Sequence, residues 1–230
     1  MKYLKKFENA DAQANWQIGE EHILPNICLT NDVITYNAPK KVLEGVCIQH
    51  IDGKLYTTSQ WTAQGFANDL ANGVAIISED ASFVIAKSNA SSSVWLSNTT
   101  ELIEGVTTTT VLTDASADFA GKQNTEKMIA AGTSGAAHAC QAYIFPNGKK
   151  GYLPSLGEWQ VFKRFKTEAE DALVQIGGSK IYLTGNRATN DLFTSTQYDA
   201  TTAWTFRRYN YASTQAPKSE TRHVRAFCEL

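Results

Sequence analysis

The chain has no apolar run long enough to cross a bilayer, and none of its cysteines form a CxxC pair. Its four cysteines, Cys28, Cys47, Cys140 and Cys228, are too few and too scattered for a disulfide scaffold or a metal knuckle. We therefore expect no membrane insertion. For Cys28 and Cys47 we expect buried, reduced thiols.

Motifs for catalysis are also missing. The sequence contains no GxSxG, P-loop, GxGxxG or HExxH pattern. The four histidines stand singly, at His22, His50, His138 and His223. The acidic residues at 168–171 lie close to lysine and arginine, which is typical of a solvated helix face. We predict a protein that is not an enzyme, with no catalytic residue and no cofactor.

The charge is almost balanced, with 21 basic and 23 acidic residues and a formal net charge of −2. This balance gives no long-range attraction to nucleic acid or to an acidic membrane, so we expect no nucleic-acid partner. Apolar residues make up 43% and charged residues 19% of 230 residues, which is enough for a packed core. No apolar segment follows the basic start "MKYLKK", so we expect no export by the general secretory route.

The composition and the spacing of apolar residues differ between residues 1–41 and residues 42–230. The first has a short helical candidate, "NADAQANWQI", and apolar runs around the turn "TND", which predict a small hairpin. It is too short to bury a core alone. We interpret it as an anchoring or oligomerisation segment; a first layer of the main domain is the alternative.

The second region begins with strands. The Asp52-Gly53 turn predicts one hairpin, and the apolar runs Val74–Ile77 and Phe83–Ala86 predict a second strand pair. A short strand is expected around Trp95.

Two helices should follow. An alanine-rich helix is predicted to start with Asn124 or Thr125 as N-cap and to break between Gly132 and Gly135. A second helix is predicted from a capping box of Ser155 and Glu158 to Gly177-Gly178. The segments "KIYLT", "AWTFRRY" and "HVRAFCEL" are predicted as final short strands, with a long polar stretch before the last two. This order predicts an α+β fold.

The polar segment "TGNRATND" offers oxygen ligands at Asn186, Asn190 and Asp191. It carries one formal negative charge, fewer carboxylates than calcium usually takes, so we expect no metal there. The aromatic stretch at 193–210 has a different interpretation from this polar segment. Trp204 is expected in a buried strand, whereas residues 207–215 have the tyrosine, asparagine and arginine content of a recognition surface.

The segments "YLPSLGEWQVF", "FTSTQYDATTAWTF" and "SETRHVRAF" resemble the C-type-lectin-like fold in its bacterial and phage branch. That branch is similar to formylglycine-generating enzymes and to the variable receptor-binding proteins of phage. The resemblance covers about residues 42–230 and includes proteins of gut Bacteroidetes and their phages. Residues 1–41 resemble a short N-terminal module on structural proteins of those phages.

The chain departs from this family at two points. It reads "LFTST" (192–196) where the family reads "YWSST", and it lacks the paired cysteines of a formylglycine-generating site. Cys140 and Cys228 fall at positions that long-form C-type lectins bridge, so the resemblance implies a disulfide. A reducing site of assembly favours free thiols instead.

The resemblance implies a ligand-facing surface in the last third of the chain. Its expected contacts are Asn186, Asn190, Tyr198, Arg207, Tyr209, Tyr211 and Gln215. The residues expected to support them are Leu153, Trp159, Trp204 and Phe227.

The leading hypothesis is a phage virion protein, a fibre or head-decoration subunit assembled in the bacterial cytoplasm. As a homotrimer it would bind a host cell-surface glycan or protein, and residues 1–41 would contact other virion proteins. A purely structural capsid or tail protein, a prophage-encoded surface adhesin and an enzyme related to formylglycine formation are the alternatives.

Overall fold

In the computed structural model the chain divides into two compact units, residues 1–42 and 43–230. The structure describes residues 27–30, 33–36, 44–96, 101–132, 135–184 and 190–230. In the first unit β1 (Ile27–Thr30) and β2 (Val33–Tyr36) pair as an antiparallel hairpin. The hairpin predicted around the "TND" turn is therefore confirmed. The helix predicted in "NADAQANWQI" lies outside the described residues.

The second unit combines helices with antiparallel sheets, so the α+β class is confirmed. Its described strands are β3 (Gly45–His50), β4 (Leu55–Tyr56), β5 (Ala71–Ile77), β6 (Phe83–Ile85), β7 (Leu192–Gln197), β8 (Thr202–Phe206), β9 (Ser213–Pro217) and β10 (Phe227–Glu229). Its described helices are α1 (Thr58–Gln64), α2 (Leu112–Ser116), α3 (Gly121–Ala131), α4 (Ala136–Gln141), α5 (Leu156–Arg164) and α6 (Lys166–Gln175). No helix in the described part of the chain is long and apolar enough to span a membrane.

Five strands form one sheet in the order β10-β6-β5-β3-β4, with antiparallel neighbours. The Asp-Gly turn joins β3 to β4, and Gly53 adopts the left-handed backbone (φ 89°) that this turn requires. Strand β5 pairs with β6 as predicted. Every residue of β5 except Ile77 is buried, so the strand lies at the centre of the unit.

A second sheet has the order β7-β8-β9. Strand β7 is buried along its whole length although its sequence, "LFTSTQ", is mostly polar. Its hydroxyl groups are satisfied inside the protein: Thr194 Oγ1 donates to the Trp204 carbonyl at 2.9 Å, and Thr196 Oγ1 donates to Asp118 at 2.6 Å. The sequence does not predict strand β9, because the composition of residues 207–215 indicates only a recognition surface.

The first predicted helix differs from the expectation at its start. It begins at Gly121, and Asn124 lies buried inside it instead of capping it. The Asn124 carboxamide accepts from the Thr107 N–H and donates to Asp118, so a loop binds the side chain that was expected to cap the helix. The break between Gly132 and Gly135 is confirmed, since α3 ends at Ala131 and α4 begins at Ala136.

The second predicted helix starts as expected. Ser155 Oγ accepts from the Glu158 N–H, and the Glu158 carboxylate accepts from the Ser155 N–H at 2.8 Å, which completes the capping box. The prediction of a single helix to Gly177 is wrong, however, because Phe165 (φ −107°, ψ 17°) separates α5 from α6. The turn lets residues of both helices pack into one core.

Two other predicted strands are absent from the described residues. Around Trp95 only isolated bridges occur, from Ser93 to Arg222 and from Leu96 to Gly135. The segment "KIYLT" (180–184) is irregular. The Arg208 side chain donates to two carbonyls there, and no described strand pairs with the segment. In "HVRAFCEL" only Phe227–Glu229 is strand.

Candidate ligand-binding surface

The turn between β8 and β9 carries much of the predicted surface. It closes through two backbone hydrogen bonds, from the Arg207 N–H to the Ala212 carbonyl (2.8 Å) and from the Tyr211 N–H to the Arg207 carbonyl (2.9 Å). Tyr211 has a left-handed backbone (φ 57°), a conformation that is uncommon for a residue other than glycine. The turn is therefore held in one shape by its own backbone.

Tyr211 anchors this turn to the core. Its half-buried ring lies 6.0 Å from Phe206 and 6.1 Å from Phe162. Its hydroxyl donates to Glu170 Oε1 at 3.2 Å, and burial together with the charge of Glu170 raises the pKa of this phenol. Because Tyr211 supports the turn from below, its ring is only partly available to a ligand.

Arg207 and Tyr209 are partly exposed residues of the same turn. The Arg207 guanidinium lies 5.9 Å from the centre of the Tyr209 ring, within reach of a cation–π contact. Its Nε is 3.5 Å from the buried carboxylate of Asp191. Burial raises the pKa of Asp191, while Arg207 and Arg222 act to lower it.

Two residues that the sequence interpretation misses extend this surface. Lys166, at the start of α6, places its Nζ 5.1 Å from the Tyr211 ring centre. Tyr182 is 41% exposed, and its ring lies 6.0 Å from that of Tyr211. Nothing in the spacing of the sequence links positions 166, 182 and 211. We call Lys166, Tyr182, Arg207, Tyr209 and Tyr211 the aromatic–basic surface.

The other predicted contacts have different neighbours. Asn190 is half-buried next to Asp191, and Gln215 is exposed on β9 opposite Trp204. Tyr198 packs on Trp204 at 5.2 Å, in a small cluster separate from the core beneath Tyr211. Asn186 lies outside the described residues.

The four expected supporting residues, Leu153, Trp159, Trp204 and Phe227, are all buried. Trp159 stacks on Phe206, the last residue of β8 before the turn, with ring centres 4.8 Å apart. The Trp204 indole donates to the Thr109 carbonyl at 2.8 Å, which agrees with its interpretation as a buried strand residue.

A buried polar network lies around the start of α5. The Asp118 carboxylate accepts from Thr196 and Asn124, and Ser155 Oγ donates to the Asp118 carbonyl at 2.6 Å. Glu158 accepts from the Tyr152 hydroxyl at 2.8 Å, and burial raises the pKa of this carboxyl to about 7. Since each of these groups bonds to others inside the protein, the network serves as a scaffold.

Other described groups capable of chemistry include three free thiols and a histidine. Cys140 and Cys228 are buried free thiols, so the bridge implied by the resemblance is not formed. Cys47 is a half-buried free thiol, and the side chain of Cys28 is not among those described. His223 Nδ1 lies 2.9 Å from the Ser92 hydroxyl. The described residues contain no group of three or more metal-ligating side chains.

The aromatic–basic surface can bind through ring faces and two cationic groups, with the exposed Gln215 amide on the neighbouring strand. This combination suits recognition of a polar surface and offers no activated nucleophile. Comparison of the chain with protein-family models, with curated proteins and with solved structures found no match.

Proposed function

We propose that residues 43–230 form a C-type-lectin-like domain, and that the chain is a phage virion protein which binds the host cell surface through the aromatic–basic surface. The observation that carries this proposal is the rigid 207–212 turn. It presents tyrosine and arginine above a stacked aromatic core.

The lectin-like fold is supported by contacts among the segments that carry the resemblance. The Ser195 N–H donates to the Pro154 carbonyl at 2.8 Å, which ties "FTST" to "LPSLGEW". Tyr152 and Phe227 exchange backbone hydrogen bonds at 2.7 and 3.0 Å, which ties the same segment to "HVRAF". Segments far apart in sequence therefore form one packed unit, as such a fold requires.

The recognition role is supported by the kind of side chains exposed. Tyrosine gives a large contact area with little loss of conformational freedom, and arginine supplies charged hydrogen bonds. The turn is already ordered by its backbone bonds, so a ligand would not have to order it. Assembly as a homotrimer, with residues 1–41 on other virion proteins, would add avidity to weak single sites.

The test is binding of labelled protein to intact cells of a panel of gut Bacteroidetes strains. Arg207→Ala/Tyr209→Ala removes two partly exposed side chains but keeps Tyr211, which supports the turn. Gln123→Ala/Lys127→Ala changes two exposed residues of α3 as a matched control. We expect strain-selective binding by the wild type and the control and its loss in the first variant. Equal binding by all three proteins, or binding to no strain, would overturn the proposal.

A second candidate is a structural virion protein that uses this fold only for particle contacts. It is favoured by four exposed apolar side chains within one segment, Leu102, Val111, Leu112 and Phe119. Thiol labelling of Phe119→Cys and Tyr209→Cys in assembled particles separates the candidates. Protection of position 119 would place the apolar segment in a particle contact. Protection of position 209 as well would support the structural role, whereas labelling at position 209 would support host binding.

A further inference from the structure

We infer that the ligand of the aromatic–basic surface is an acidic polysaccharide, whose sugar carboxylates bind Lys166 and Arg207 while its sugar rings lie on the tyrosines. This inference rests on the proposed function, because it assumes that this surface binds the host.

Both cations of this surface lie beside tyrosine rings. Lys166 is exposed and lies 5.1 Å from the Tyr211 ring centre, and Arg207 is partly exposed beside Tyr209. Each cation is therefore paired with a tyrosine ring. A ligand with an anionic group next to a ring-shaped body could use both members of a pair.

Two carboxylates, those of Glu170 and Asp191, contact residues of this surface. Glu170 is only 4% exposed, and its Oε1 is occupied by the Tyr182 N–H (2.6 Å) and the Tyr211 hydroxyl (3.2 Å). Asp191 is 3% exposed and lies beneath Arg207. Among the described residues, the two carboxylates that contact this surface are thus buried, whereas Lys166 is exposed and Arg207 is partly exposed.

Two further acids on α6 face away from Lys166. Glu168 and Asp171 are exposed, but they lie two and five positions after Lys166. At the helical repeat these positions fall on the other side of the helix, whereas Glu170, four positions on, shares the face of Lys166.

Two buried guanidinium groups interact electrostatically with Glu170. The buried Arg208 guanidinium donates to the carbonyls of Lys180 and Ile181, and the buried Arg225 guanidinium donates to Ala86 and Ser179. These acceptors are neutral, so they leave the positive charges in place, with Glu170 as a nearby carboxylate. Summed charges of this kind attract an anion over several ångströms.

A polysaccharide fits the arrangement better than a protein partner does. A sugar ring presents a face of C–H groups that packs on a tyrosine face, while its hydroxyl and carboxyl groups point sideways to hydrogen-bonding partners. Two cation–tyrosine pairs near one turn match a polymer that repeats the same acidic unit.

The test uses capsular polysaccharide extracted from a strain to which the protein binds. One portion stays native, and in the other the carboxyl groups are reduced to alcohols with carbodiimide and borohydride. We expect the native polymer to inhibit cell binding and the reduced polymer to be at least about tenfold weaker. Inhibition by the native polymer should weaken as salt is raised. Equal inhibition by both polymers, or inhibition by neither, would overturn the inference.

Single substitutions test which cations bind the polymer. Lys166→Gln and Arg207→Gln should each weaken the native polymer by about tenfold, since a charge-assisted contact is lost. Lys127→Gln removes an exposed cation of α3 and should leave inhibition unchanged. An equal loss in Lys127→Gln would indicate unspecific attraction and contradict the inference.

Treatment of the cells separates this inference from the proposed function. Binding that protease abolishes and periodate leaves intact would identify a protein ligand; the proposed function would then stand and the inference would fail. If Arg207→Ala/Tyr209→Ala binds cells as the wild type does, the proposed function itself fails.

Discussion

The Trp159 indole and the Phe206 ring are almost parallel, with an interplanar angle of 15° and centres 4.8 Å apart. Trp159 also lies 4.9 Å from Phe227, and all three rings are buried. One tryptophan of α5 thus holds together β8, which leads into the 207–212 turn, and β10.

Replacing Trp159 should test this role. We expect Trp159→Ala to lower the free energy of unfolding by about 3–5 kcal/mol, because it removes a large buried ring. Trp159→Phe should cost much less, since the indole N–H has no hydrogen-bond partner among the described residues. Urea unfolding followed by circular dichroism measures both. Equal losses for the two variants would mean that ring stacking is not the main contribution.

Glu158 should make stability depend on pH. Burial raises the pKa of its carboxyl from 4.5 to about 7, so the folded protein keeps this proton at pH values where the unfolded chain has lost it. The stabilisation is therefore complete below pH 4.5 and is lost as the pH rises to 7. The unfolding free energy should fall by about 3 kcal/mol over this interval.

The measurement is urea unfolding at several pH values between 4.5 and 8. Glu158→Gln keeps a neutral side chain and should remove most of the slope, whereas Glu104→Gln, an exposed control, should retain it. A slope of the same size in Glu158→Gln would assign the pH dependence to other groups.

Gly157 should not tolerate a side chain. A Cβ atom there would overlap the carbonyl oxygen of Asp118, which accepts from the Gly157 N–H and from Ser155 Oγ. We expect Gly157→Ala to lower the unfolding free energy by about 1–3 kcal/mol. At Gly45 no atom lies within 4 Å of the place that a methyl group would take, so Gly45→Ala should be neutral or slightly stabilising. Thermal unfolding compares the two, and an unchanged Gly157→Ala would refute the predicted overlap.

The buried thiols should be inert in the folded protein. Burial raises the pKa of Cys228 to about 12 and that of Cys140 further. We expect a thiol reagent to label neither residue under native conditions and to label both after unfolding, as peptide mass spectrometry can measure. A disulfide-linked peptide containing both cysteines would contradict the free-thiol structure.

Features set by neighbouring residues could be predicted from the sequence. The capping box of Ser155 and Glu158 and the turn at Gly53 each depend on contacts within a few residues, and both lie where the sequence predicts them. The apolar runs of β5 and β6 also pair as expected.

Features set by distant residues could not be predicted in this way. Strand β7 can be buried because its hydroxyls donate hydrogen bonds to the Trp204 carbonyl and the Asp118 carboxylate. Asn124 can be buried because its carboxamide accepts a hydrogen bond from the Thr107 N–H of a distant loop. The candidate site shows the same limit. The tyrosines of the turn could be named from composition, but only the packing brings Lys166 and Tyr182 beside Tyr211.

The position of β10 has a consequence for how the second unit folds. This strand pairs with β6, and beside it Arg225 donates to the Ala86 carbonyl across 139 positions of sequence. Closing so long a loop costs conformational entropy before the contact repays it, so folding that depends on such contacts is slow. During synthesis one edge of β6 stays unpaired until residues 225–229 have left the ribosome. A nascent chain of this protein therefore exposes an apolar sheet edge, and a chaperone that shields it would raise the yield of folded protein.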